Sequence, residues 1–340
     1  MEARDDFSQG VENIYYRSIL GTLHFVMCNI GIVFGEAFKK YSFPDYPLAS
    51  QRIEAFQQML EKEGVIKKGK IKFLEPVLAS EDVLLLFHTK GHVEFVKRAS
   101  EKGYGYLDYG DTPAFKGIFE AACYLVGSTL LGLDMLMKKE FDHMFNPIGG
   151  MHHARRDKAA GFCVFNDIGI AIVHAKKTYG LKKIFYVDID AHHGDGVLYE
   201  FDDDPVVYIA DIHEDGKYLY PGTGSSDETG SGEAVGTKMN LPLAPKSGDK
   251  EFKEAFMKVE DFAYRIKPEL IIFQCGADGL KGDPITHLHY TEEVHRYATN
   301  RLHRISHELC DGRILALGGG GYNPNNVARA WVEVVKGLMG

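Results

Sequence analysis

Cysteine is scarce in this chain. Five occur in 340 residues, scattered as Cys28, Cys123, Cys163, Cys275 and Cys310, with no C-x-x-C pair among them. An odd, dispersed set excludes a disulfide framework and fits a reducing, cytoplasmic compartment. Basic charge is also short: 39 Lys and Arg face 48 Asp and Glu, for a net charge of −9. A general nucleic-acid binder would carry a basic face, so that class is set aside, while substrates with some positive character are accommodated. No clean apolar run is long enough for a membrane span. The most apolar early stretch, "YYRSILGTLHFVMCNIGIVFG", is interrupted by Arg17, His24 and Asn29 and follows the acidic "MEARDD". It meets the requirements of neither a secretory signal nor a membrane helix. Internal repeats, low-complexity tracts and Pro/Gly/Ser-rich linkers are missing too. The chain therefore reads as an extension over residues 1–28 followed by one domain over 29–340.

What is present is an alternation of apolar, β-branched runs with segments of helical period, the signature of an α/β protein built on a mainly parallel sheet. Strands are expected at "IGIVFG", "KKIFYVDID", "PVVYIADIH", "PELIIFQCG" and "RILALGG". Helices are expected over 48–62, 80–96, 114–139, 167–177, 249–266, 292–308 and 325–338. Three strands end in dense chemistry: "YVDIDAHHGDG", "IIFQCGADGLKGDP" and "LALGGGGYN". Ligands of open α/β sheets sit beyond the carboxyl ends of the strands, so these clusters should meet at one edge.

Asp190 and His192 stand two apart, which on an extended strand end points both to one side. A lone Asp-x-His would read as a helix cap beside a surface histidine. Asp278, closing a second strand, tips the reading toward a cation held by two carboxylates and one imidazole. Three protein ligands leave a position open, as in a catalytic rather than a structural zinc site. The same donor set suits Fe²⁺ as well. In "NPIGGMHHARRDKAAGFCVFND", His152 and His153 are adjacent, and Asp188 and Asp195 flank the metal pair with one carboxylate for each imidazole. Such partners orient the rings and tune them apart, as a base and an acid require. From Gly318–Gly321 alone two readings stand. One is a phosphate-cradling loop, which lacks a Walker-type lysine or G-x-G-x-x-G spacing; the other is a loop bringing Tyr322 to the metal as an oxyanion donor.

Together the motifs "YPLASQRI", "YGDTPAFKGIFEAA", "GGMHHARRDKAAGFCVFND", "VDIDAHHGDGV", "YPGTG", "GADGLKGDP" and "LGGGGYNPNNVARAW" resemble the zinc-dependent histone deacetylase superfamily, close to acetoin-utilisation-type and class I-like deacetylases. The resemblance runs from about Ile30 to the C-terminus. It implies an arginase-like single-domain α/β fold with an eight-stranded parallel sheet flanked by helices, residues 29–340 being the catalytic domain. It also implies hydrolysis of acyl-lysine in proteins, with release of acetate. Asp190, His192 and Asp278 match the metal ligands; His153 with Asp195 matches the general base and acid, and His152 with Asp188 the electrostatic histidine. Tyr322 matches the tyrosine that polarises the acyl carbonyl. Asp111 matches the rim aspartate, and Phe162, beside Gly161, and Tyr220 the aromatic walls of the tunnel. Tyr220 stands where a second Phe is more common. Ile285 falls at a rim position often Leu or Met, and Arg52 matches the arginine of an internal acetate-exit channel. A structural K⁺ or Na⁺ is implied as well. Two departures stand out: Tyr46 replaces a common His, and Asp211 occupies a position usually Ser beside the monovalent cation. Competing readings are an acetylpolyamine or small-amide deacetylase, a non-catalytic acyl-lysine reader and a binuclear manganese ureohydrolase. The aliphatic Ile285 weighs against the first, and the retained His152, His153 and Tyr322 against the second. The third needs further metal-bridging groups.

Overall fold

A computed structural model of the chain describes residues 28–43, 48–68 and 70–340. The extension expected over 1–28, apart from Cys28, and the departure at Tyr46 lie outside the described residues. In chain order the strands are β1 (Asn29–Val33), β2 (Lys70–Leu74), β3 (His143–Asn146), β4 (Ile184–Asp188), β5 (Val207–Glu214), β6 (Lys238–Leu243), β7 (Leu270–Gln274) and β8 (Ile314–Leu317). The helices are α1 (Leu48–Lys62), α2 (Val65–Lys68), α3 (Glu81–Leu84), α4 (Lys90–Lys102), α5 (Ile118–Met137), α6 (Asp167–Thr178), α7 (Asp195–Leu198), α8 (Asp249–Ile266), α9 (Glu293–Leu309) and α10 (Pro324–Leu338).

All eight strands form one parallel sheet in the order β2-β1-β3-β8-β7-β4-β5-β6. Its central strands β3, β8, β7 and β4 are buried at every position, which is why β8, β7 and β4 read as largely apolar runs rather than alternating ones. Helices cover both faces. One group is α5 with α4 and α6; the other is α1, α10, α9 and α8, each packed on the next. By length and composition α5 is apolar enough to cross a membrane. Its apolar residues are instead spent on β3, β8 and α6, with Leu125, Val126 and Leu133 fully packed.

Most expected elements are present, with two kinds of difference. Strands β2, β3 and β6 were not anticipated. β2 and β6 are the sheet's outer strands and only partly buried, and β3 is four residues long, so none carries a long apolar signature. The helix expected over 80–96 is two helices. α3 stops at Leu84 because the chain turns His88 into the core, where its Nε2 accepts the Asn166 N–H at 2.9 Å. Thr89 then restarts the helix by accepting the His92 N–H at 3.3 Å.

Candidate active site

The loops after β3, β8, β7 and β4, four adjacent central strands, meet at the carboxyl edge of the sheet. Asp188 is the last residue of β4, and Asp190 and His192 lie just past it rather than on the strand. Asp278 likewise lies four residues beyond β7. The pair therefore converges through loop hydrogen bonds, not through the two-residue strand repeat. His192 Nδ1 faces Asp190 Oδ1 at 3.1 Å and Asp278 Oδ2 at 3.0 Å. One donor atom from each residue lies within 4.8 Å of the others.

The outward oxygens are already engaged. Asp190 Oδ2 accepts from the Gln274 amide at 2.8 Å and the Gly320 N–H at 2.8 Å, and Asp278 Oδ1 accepts from the Ala191 N–H at 2.7 Å. That leaves two carboxylate oxygens and an imidazole nitrogen facing one point, the donor set of a divalent cation with open coordination. These residues fit a catalytic zinc or iron. Gly320 cannot be otherwise: a Cβ there would stand 2.4 Å from Asp278 Oδ2 and 2.8 Å from Asp190 Oδ2.

The loop after β3 presents the two histidines. Asp167, at the start of α6, accepts the N–H groups of Gly150 at 3.0 Å and Met151 at 2.8 Å, and the Thr129 hydroxyl at 2.6 Å. This anchors the turn that carries His152 and His153. His152 Nδ1 lies 2.8 Å from Asp188 Oδ2, which also accepts the Tyr186 hydroxyl. His153 Nδ1 lies 2.7 Å from Asp195 Oδ1, whose other oxygen takes Arg155 at 2.9 Å.

The two rings are 4.1 Å apart between centroids but titrate in opposite directions. Burial opposes the charging of His152, yet Asp188, with Asp190 and Asp211 behind it, lifts it to about 9. Burial and the neighbouring His152 outweigh Asp195 at His153 and push it down to about 4. Near neutral pH one imidazole is charged and its neighbour is a free base.

A single cavity is lined by these groups together with Gly161, Phe162, Tyr322 and Arg52. Burial first, then Asp278 and Asp190, holds the Tyr322 phenol well above its ordinary range, so it stays a proton donor. Gly161 and Phe162 both adopt positive φ, at 53° and 64°. A Cβ at Gly161 would meet the His153 ring at 2.6 Å, so this turn needs glycine. The Phe162 carbonyl accepts the Tyr41 hydroxyl at 2.6 Å, and its N–H reaches Thr112 Oγ1 at 3.0 Å. Arg52 is buried, donates to the Gly319 carbonyl at 2.9 Å and stacks over Trp331.

Other expected residues sit outside the cavity lining. Tyr220 is 43 % exposed and edges onto His153 with centroids 5.0 Å apart, at the mouth. Asp111 is exposed on a loop that Asp108 gathers through the N–H groups of Gly110, Asp111 and Thr112. Ile285 is half-buried on the loop after β7. Asp283 accepts the N–H of Ile285 at 3.0 Å and that of Tyr322 at 2.8 Å, tying this loop to the backbone that carries the phenol. Asp211 is fully buried; it pairs with His213 Nδ1 at 2.7 Å and accepts the Gly194 N–H at 2.8 Å.

Gln274, Tyr186, Arg155, Tyr41 and Asp283 were not picked out from the sequence. Gln274 had a signal, being a polar residue that closes the apolar run "LIIFQ". Tyr186 is used locally, its hydroxyl reaching Asp188 two residues on, while Arg155, Tyr41 and Asp283 are fixed by contacts between distant segments and carry none.

Residues 46–338 match the histone deacetylase domain family. The chain is 38 % identical over 320 residues to the acetoin utilization protein AcuC of Bacillus subtilis, covering 90 % of this chain and 82 % of that one. AcuC of Staphylococcus xylosus is 30 % identical over 321 residues, covering 91 % and 82 %. The crystal structure of the HDA15 HD domain superposes with a TM-score of 0.84 at 28 % identity, covering 92 % of this chain and 89 % of that one. Fold, identity and length of match agree, and the chain belongs to the histone deacetylase family of amide-hydrolysing enzymes.

Proposed function

We propose that the protein is a metal-dependent lysine deacylase that removes acetyl or related acyl groups from protein side chains and releases the acid. The observation that carries this reading is the convergence of Asp190, His192 and Asp278 beside a neutral His153 and a protonated Tyr322 in one cavity. Asp190, His192 and Asp278 would hold a divalent ion, zinc by preference and Fe²⁺ as the alternative, which would polarise the acyl carbonyl and acidify a water.

His153, held neutral, takes the proton of the attacking water and then delivers it to the leaving amine. Asp195 fixes its tautomer by accepting at Nδ1 and leaves Nε2 free for this transfer. His152, charged through Asp188, lowers the cost of negative charge in the pocket without exchanging a proton. Tyr322 donates its hydroxyl to the carbonyl oxygen as charge develops there. Phe162 and Tyr220 flank the approach, a slot for a slim aliphatic stem, and the buried Arg52 lines the same cavity as Phe162, where it can attract a carboxylate product. A structural K⁺ or Na⁺ near Asp188 and Asp211 belongs to the same proposal.

The test uses metal-stripped protein with an acetyl-lysine peptide, acetylspermidine and a small acetamide. Activity on the peptide should be absent, return when Zn²⁺ or Fe²⁺ is added back to saturation, and be blocked by a hydroxamate. Asp190→Ala, His192→Ala and Asp278→Ala should each stay inactive on re-addition. Full turnover without metal would sink the mechanism, and preference for acetylspermidine would move the substrate to small amines.

A further inference from the structure

A second cluster of metal-ligating side chains lies at the opposite, amino-terminal edge of the sheet. Cys28 immediately precedes β1, and His143 opens β3 beside Ile30. His303 and His307 are one turn apart near the end of α9, so both rings project from one helix face. We propose that Cys28, His143, His303 and His307 form a second, structural transition-metal site, with zinc as the ion its donors suit best.

Geometry is the first support. One donor atom from each of the four lies within 4.8 Å of the others. Cys28 Sγ stands 3.3 Å from His307 Nε2 and 3.6 Å from His303 Nε2. Bond lengths of about 2.3 Å to sulfur and 2.0–2.1 Å to nitrogen make the sulfur–nitrogen edge of a tetrahedron about 3.5 Å. The three imidazoles close on one another with centroids 5.0, 5.2 and 4.6 Å apart.

His143 is the second support. It is fully buried, and neither of its ring nitrogens makes a well-formed hydrogen bond among the described residues, although the Gly312 backbone approaches the ring. Buried imidazole nitrogens are rarely left unmatched, because each forfeits its hydration. A thiol–imidazole hydrogen-bond cluster is the plain alternative, and it fails on count. One S–H proton serves only one of the two Nε2 atoms that Cys28 faces, and the His143 nitrogen turned to the cluster stays unmatched. A bound ion would take the sulfur and one nitrogen of each imidazole, leaving the other His143 nitrogen to the Gly312 backbone.

The donors also select the ion. One thiolate and three imidazoles are softer than the two carboxylates and one imidazole of the Asp190 cavity, and they exclude Mg²⁺ and Ca²⁺. Four protein ligands close the coordination, as in structural zinc sites. His307 is exposed and gives the ion an entry path. Bound there, the ion would clamp the residue that leads into β1 to the end of α9, across a separation of 275 and 279 residues.

The full chain, stripped and reloaded with Co²⁺ as the probe, tests this by absorption and equilibrium dialysis. Two equivalents should bind, one of them giving a sulfur-to-cobalt charge-transfer band. Asp190→Ala should keep that band, and Cys28→Ser should lose it while retaining the other equivalent. His307→Ala changes an exposed residue and should weaken the sulfur-ligated equivalent by at least 100-fold, above the 10–100-fold that outer-shell changes cost. A single equivalent in the wild type, or a band that survives Cys28→Ser, would overturn the site. Should Cys28→Ser not fold, unchanged Co²⁺ affinity in His307→Ala overturns it equally.

Discussion

Gln274 holds Asp190 from behind: its side-chain amide donates to Asp190 Oδ2 at 2.8 Å, while its own carbonyl oxygen accepts the Gly276 N–H at 2.7 Å. The carboxylate is thereby turned so that Oδ1 faces His192 and Asp278. Gln274→Met keeps the volume and removes the donor. Outer-shell partners of metal ligands are worth 10–100-fold in affinity or activity. Metal affinity should fall by that factor, and excess Zn²⁺ should restore most of the kcat. Titration of metal-stripped protein against a competing chelator measures it. An affinity equal to wild type would show that Gly320 alone orients Asp190.

Tyr322→Phe removes one hydroxyl from the cavity and leaves the Tyr322 N–H on Asp283 in place. Loss of one oxyanion donor costs on the order of 10²–10³ in kcat. Because the lost bond forms in the transition state, KM should move much less. Steady-state kinetics on an acetyl-lysine peptide would read both constants, and an unchanged kcat would remove the phenol from the mechanism.

His88 makes stability depend on pH. Burial, then the neighbouring His92, depresses its pKa to about 3. The unfolded chain therefore binds a proton near 6.5 that the folded chain refuses until about 3. Stability is full above about pH 6.5 and is lost as pH falls toward 3, amounting to about 2 kcal/mol by pH 5 from this group. In His88→Gln the amide oxygen can still accept from Asn166, but nothing titrates. Urea midpoints at pH 7.5 and pH 5 should therefore differ less in the variant than in the wild type, and parallel losses would exclude His88 as the source.

His88 also marks where the sequence stops being legible. The run from Ser80 to Val96 has good helical period, and nothing local reveals that His88 is wanted in the core by Asn166, 78 residues away. Strands β8, β7 and β4 were legible because burial on both faces leaves long apolar runs, whereas the outer strands β2 and β6 and the four-residue β3 lack that mark. The candidate site was legible for a related reason. Aspartates and histidines are expensive beyond an apolar strand, so Asp190, His192 and Asp278 announce themselves. Their supports do not. Arg155 and Tyr41 are ordinary residues whose use depends on contacts made 40 and 121 residues away along the chain. Cys28 and His143 passed unnoticed because their partners His303 and His307 are met only when α9 packs at the sheet edge.

Asp111 bears on the class of substrate. It is exposed on a loop tied to the cavity wall, since the adjacent Thr112 accepts the Phe162 N–H at 3.0 Å. Burial is the largest influence on the Tyr220 phenol, and Asp111 is near enough to raise it further. A carboxylate at the mouth can accept backbone N–H groups on either side of an acyl-lysine. A polyamine has no such amides, and Ile285, the residue expected at the rim, is aliphatic, offering an ammonium group nothing. A peptide-borne acetyl-lysine should therefore exceed acetylspermidine in kcat/KM. In Asp111→Ala that advantage should shrink roughly tenfold, the lower end of what a hydrogen bond to a charged acceptor contributes. Turnover of a small acetamide should change much less. The net charge of −9 also draws polyamines in, an attraction that salt screens within about 8 Å at physiological ionic strength. Measured there, equal losses on peptide and acetamide would remove Asp111 from substrate recognition, and a wild-type preference for acetylspermidine would reassign the substrate while leaving the metal chemistry intact.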